Sequence, residues 1–96
     1  MEEFLREQSA ELRSDFVEAI NLLAGGKMLS MPLSRNLSGI YPGLHEMRLR
    51  DSSGIARIFY FIKKGEAIYM LHAFKKKTQK LPKQEIEIAL KRIKEV

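Results

Sequence analysis

Leu12, Phe16, Ala19, Ile20 and Leu23 fall three or four residues apart, which predicts an amphipathic helix over residues 10–24. Ser9 stands where an N-cap is needed, and Gly25-Gly26 where the helix must stop. A shorter helical segment over residues 2–7 precedes it. From 27 to 43, Pro32, Asn36, Ser38, Gly39, Pro42 and Gly43 leave little room for a long element. Leu29, Leu33, Leu37 and Ile40 can still pin this irregular stretch to a core.

The pattern then changes to strands. Residues 44–50 alternate, with His45, Met47 and Leu49 on one face and Glu46, Arg48 and Arg50 on the other. Residues 51–54, DSSG, form a turn. Residues 55–63, IARIFYFIK, are apolar on both faces, as in a central strand covered on both sides. Lys64-Gly65 is read as a two-residue turn, residues 67–74 as a third strand, and residues 75–80 as a basic segment. A last helix runs from Pro82 to about Glu95, with Ile86, Ala89, Leu90 and Ile93 as its buried stripe. Glu85 and Glu87 near its start and Lys91, Arg92 and Lys94 near its end complement the helix dipole. The expected fold is α+β: N-terminal helices, a three-stranded antiparallel sheet and a C-terminal helix, in one domain over residues 1–96.

Turn lengths fix an expected register. A four-residue first turn pairs Arg48 with Arg57, and a two-residue second turn pairs Arg57 with His72. Arg48, Arg57 and His72 then form a row across three strands. Like charges placed directly opposite are unfavourable as packing, so such a row makes more sense as an anion site.

Charge sharpens this picture. Residues 1–47 carry four basic and seven acidic side chains, whereas residues 48–96 carry thirteen and five, within a net charge of +5. An acidic helical end and a basic working surface favour a polyanionic partner, nucleic acid first. There is no cysteine, so disulfides and thiolate metal sites are excluded. No apolar run reaches the roughly 18 residues of a membrane span and the N-terminus lacks a secretory signal, so a cytoplasmic protein is expected. No metal-binding spacing, Gly-rich phosphate loop or Ser/His/Asp triad is present, and neither metal nor cofactor is expected.

His45 shares a face with Met47 and Leu49 and reads as a core or edge histidine. Tyr60, Tyr69, Phe59 and Phe61 read as packing. An Arg/His/Lys site without a metal suits RNA cleavage, in which the 2′-hydroxyl attacks the adjacent phosphate. The protein then has to move protons and stabilise charge on the phosphorane. Arg48 and Arg57 would clamp the phosphate and His72 would handle protons. Arg50, Lys75, Lys76, Lys77 and Lys80 would hold the flanking backbone.

The stretch GLHEMRLRDSSGIARIFYFIKKGEAIYMLHAFKKKTQKLPKQEIEIALKRIKE, residues 43–95, strongly resembles the HigB-like, phage-derived branch of the RelE/ParE toxin superfamily. LHEMRLR, RIFYF and LHAFKKKTQKLPKQEIEIA carry the resemblance, and EEFL and PLSRNLSG extend it over nearly the whole chain. The resemblance implies the toxin of a type II toxin–antitoxin module: a metal-independent mRNA endoribonuclease, commonly ribosome-associated, neutralised by an antitoxin of the helix-turn-helix kind. By resemblance, Arg48 and Arg57 match the family's strand arginines, and His72 with Lys75–Lys77 matches the basic, proton-handling end of the later strand. Family members commonly begin with a strand before the EEFL segment that is not found here. A three-stranded sheet with an exposed edge is therefore expected, open to an antitoxin segment or to homodimerisation. The alternatives are an inactive relative that binds RNA or ribosome, a ParE-like gyrase inhibitor and a purely structural partner.

Overall fold

The structure is a computed structural model that describes residues 2–63, 67–76 and 82–96. Helix α1 (Glu2–Arg6) leads into α2 (Ala10–Ala24). The Ser9 hydroxyl accepts the Leu12 N–H at 3.1 Å, satisfying one of the free donors of the first turn of α2. Gly26, at φ +83°, ends α2 while the Lys27 N–H returns to the Leu22 carbonyl. Four strands follow: β1 (Ser34–Asn36), β2 (Leu44–Asp51), β3 (Gly54–Lys63) and β4 (Ala67–Lys76). Helix α3 (Lys83–Ile93) closes the described fold, with Pro82 as its N-cap rather than its first helical residue.

The sheet is antiparallel with order β1-β2-β3-β4, so it has four strands and not three. The extra one comes from the stretch expected to be irregular. Ser34–Asn36 pairs with Met47–His45, and the buried Ser34 hydroxyl meets the Tyr60 hydroxyl at 2.6 Å. The Asn36 side chain then accepts the Ser38 N–H and turns the chain away. Three residues without apolar alternation carry no strand signal of their own. Their pairing is a tertiary event.

Helices cover both faces of the sheet. On one side Leu12, Ala19 and Leu23 of α2 pack on Met47, Leu49, Ala56, Ile58 and Tyr60. On the other, Ala89 and Ile93 of α3 pack with Leu37, Leu44, Phe59, Leu71 and Phe74. This two-sided covering is why β3 reads as an unbroken apolar run. None of the described helices is long and apolar enough to cross a membrane.

The β2–β3 register pairs Arg48 with Arg57, as the first turn predicts. The β3–β4 register departs from expectation twice. Lys63 pairs with Ala67 rather than Glu66, and a bulge places Leu71 as an extra residue between the pairs Phe59–His72 and Tyr60–Met70. Each one-residue slip reverses side-chain facing, and two restore it. His72 therefore keeps the face of Arg57 but lies opposite Phe59, while Phe74 takes the place beside Arg57. Strand β4 also runs two residues further than expected, to Lys76.

Gly43 enters β2 at φ +88°, where an added Cβ would lie 2.8 Å from both the Ile62 carbonyl oxygen and Phe61 Cε1. Gly43→Ala should cost about 2 kcal/mol in urea unfolding, from the left-handed backbone and the clash together. Gly39→Ala, which meets nothing within 4 Å, is the control and should be near neutral.

His45 is buried and stacked on Tyr60 at 5.1 Å, and burial lowers its pKa from the ordinary 6.5. The unfolded chain then binds this proton more readily, so the His45 contribution is complete above 6.5 and lost as pH falls below it. Thermal melts between pH 7 and 5 should show this loss in the wild type, and a shallower pH dependence in His45→Phe.

Candidate functional site

On β2, alternation puts Leu44, Glu46, Arg48 and Arg50 on the α3 side of the sheet. Glu46 accepts from Arg48 Nε at 2.9 Å through one oxygen and from Arg57 Nη1 at 3.4 Å through the other. The side chains of Glu46 and Arg57 are 0% exposed and that of Arg48 is 13%. A buried carboxylate between two guanidinium groups explains how two arginines can stand opposite each other in adjacent strands. Sequence reasoning left Glu46 out of the site. The signal was present, because Glu46 and Arg48 are two apart on one strand and so share a face.

His72 lies on the same side, against α3. Its Nε2 is 3.3 Å from Glu85 Oε1 and its Nδ1 is 3.5 Å from Arg92 Nη1. The same Arg92 nitrogen donates to the Leu71 carbonyl at 2.6 Å. An arginine can only donate, so His72 Nδ1 is the acceptor and Nε2–H donates to Glu85. These partners assign the tautomer. The ring is 16% exposed, Glu85 is 19% exposed, and the imidazole stacks on Phe74 at 5.8 Å. Glu85 and Arg92 were read in the sequence only as helix-dipole partners. Their spacing of seven puts both on one face of α3, but nothing local says that His72 lies beneath them.

The remaining expected residues separate. Lys75 points to the opposite, α1–α2 side, where Nζ binds Gln8 Oε1 at 2.9 Å, both carboxylate oxygens of Asp51 and the Ser53 hydroxyl. Lys75, followed by Ser53, holds the Asp51 carboxyl well below the usual carboxylate range. Asp51 in turn accepts from Ser9, so this lysine braces the α2 cap against the β2–β3 turn. The structure does not bring it to the arginines. Arg50 is exposed at the end of the β2 face. It lines, with Arg48, Asp15 and Glu18, a cavity of about 540 Å³. The Lys76 side chain and the whole of Lys77 and Lys80 lie outside the described residues. Among the described residues no group of three His, Asp or Glu side chains could hold a metal ion.

The assembly that results is a small α+β domain with an arginine–glutamate–arginine cluster and a helix-braced histidine on one sheet face. Residues 3–94 match the family "Phage derived protein Gp49-like (DUF891)", and the chain belongs to it. The family is toxin-like. Neither a curated protein nor a solved structure matches the chain.

Arg57→Ala should destabilise the fold by about 3 kcal/mol in chemical unfolding, because Glu46 stays buried with half its compensation gone. Arg48→Ala, which removes a partly solvated partner, should cost less than half as much. Equal and small losses from the two would show that Glu46 does not depend on Arg57.

Proposed function

We propose that this protein is the toxin of a type II toxin–antitoxin module and cleaves mRNA without a metal. Membership of a phage-derived, toxin-like family supports the module. The observation that carries the chemistry is His72, a partly exposed imidazole with a carboxylate at one nitrogen and a guanidinium at the other, on the same face as Arg48 and Arg57.

In this reading the RNA 2′-hydroxyl loses its proton to a protein base as its oxygen bonds to phosphorus. The bond from phosphorus to the 5′-oxygen breaks, and that oxygen takes a proton. A 2′,3′-cyclic phosphate and a 5′-hydroxyl result. His72 handles protons, since imidazole is the side chain suited to both roles near neutral pH. Arg48 and exposed Arg50 supply cationic contacts to the RNA, joined by Lys76, Lys77 and Lys80. Arg57 acts from beneath as a positioning residue, because it holds Glu46 and thereby the Arg48 guanidinium. Lys75 is reassigned from RNA contact to bracing. The cognate antitoxin is of the helix-turn-helix kind, and the ribosome is where mRNA is met.

The burial of Arg57 and its pairing with Glu46 favour a second reading, an RNA- or ribosome-binding relative that does not cut. Inducible expression in bacteria, with mapping of mRNA ends, decides between them. The toxin reading expects growth arrest and new 5′-hydroxyl ends with the wild type, and a loss of at least about 100-fold in cleavage for His72→Ala with the fold intact. Arrest and new ends that persist unchanged in His72→Ala would remove His72 from the chemistry. Wild type that binds RNA in a salt-dependent way and leaves no new ends would establish the second reading.

A further inference from the structure

A cleft of about 490 Å³ opens between α1, the outer edge of β4 and α3, lined by Glu3, Phe4, Met70, Leu71, His72 and Arg92 among others. Its size is in the range that holds a small ligand group. Of the other arginines described on this side of the sheet, Arg35 is exposed on β1, at the sheet edge away from β4, Arg57 is wholly buried and Arg48 directs Nε to Glu46. Arg50 is exposed but shares its cavity with the carboxylates of Asp15 and Glu18, which oppose an anion. Arg92 differs from all four. It is exposed, and both of its hydrogen bonds run through Nη1, to the Leu71 carbonyl and to His72. The carbonyl contact fixes the plane of the guanidinium, while Nε and Nη2 remain for a ligand. That pair forms the fork that matches two oxygens of a phosphate.

We propose that this cleft is a phosphate-binding subsite, in which Arg92 takes a phosphodiester beside the His72 imidazole. The tautomer adds a chemical reason. With Nε2–H directed at Glu85, the basic lone pair of His72 is on Nδ1, the nitrogen beside Arg92. A phosphate on Arg92 therefore brings a neighbouring ribose to the Nδ1 side of the ring, where the 3.5 Å contact with Arg92 Nη1 has to give way before Nδ1 takes a proton. Glu85 fixes that orientation, as a positioning residue. Among the described residues lining the cleft Glu3 is the one carboxylate, so an anion has to bind against it.

The identity of the phosphate as RNA rests on the ribonuclease reading; the subsite itself does not. The first probe is inorganic phosphate, titrated into the labelled full chain while the Arg92 Nε–H and His72 imidazole NMR signals are followed. Saturable shifts of both are expected. Phosphate affinity should fall at least 10-fold in Arg92→Ala, partly recover in Arg92→Lys and rise two- to threefold in Glu3→Gln. Circular dichroism confirms that each variant is folded. Absence of saturable shifts at these two residues, or equal affinity in folded Arg92→Ala, overturns the subsite.

The second probe is an uncleavable 2′-O-methyl oligoribonucleotide. Loss of one phosphate contact should lower the slope of log affinity against log salt by about 0.7 in Arg92→Ala. An unchanged slope overturns the RNA assignment. A wild type that binds phosphate here but leaves mRNA uncut ends the ribonuclease reading and leaves the subsite standing.

Discussion

Glu46 sits in the middle of the sheet with no exposed surface, and what surrounds it depends on how its charge is met. A lone carboxylate in that position would cost several kcal/mol in lost hydration. Arg57 from the neighbouring strand and Arg48 from its own strand each take one of its oxygens. The β2–β3 register is thereby tied to charge as well as to apolar packing, because a slip of one residue would send Arg57 to the apolar α2 side and leave Glu46 without it. The cluster keeps an excess of one positive charge, and that excess is carried on the side where Arg48 reaches solvent.

The same sheet separates two tasks. Its α2 side is apolar and is closed at one end by the Lys75–Asp51–Ser9 brace, which joins β4, the β2–β3 turn and the α2 cap. Its α3 side is apolar where Ala89 and Ile93 pack, and polar where Glu85 and Arg92 meet His72. Helix α3 thus provides both the cover for one face of the sheet and the partners of His72. The bulge at Leu71 contributes to this arrangement, since the Leu71 carbonyl is the point on which Arg92 is anchored.

Much of this was legible in the chain. The stripe from Leu12 to Leu23 between Ser9 and Gly25-Gly26, the apolar run of β3 and the helix after Pro82 all follow from local periodicity and capping, which belong to a single segment. The pairing of Arg48 with Arg57 followed from the four-residue turn DSSG, and the shared face of Glu46 and Arg48 from strand alternation.

Other features belong to no single segment. Ser34–Asn36 becomes a strand only because β2 offers it an edge. The place of His72 depends on a longer connection and a bulge, two slips that turn length cannot reveal. Lys75 reads as one more lysine in a basic run until the fold sets it beside Asp51, Gln8 and Ser53. The sequence determined which segments are helix or strand and which faces are apolar, because neighbours along the chain decide those. Only the tertiary structure decided that Glu46 pairs with Arg57, that Lys75 is a brace and that Glu85 and Arg92 frame His72. Each of these contacts joins side chains on different elements, and its geometry exists only once those elements have packed.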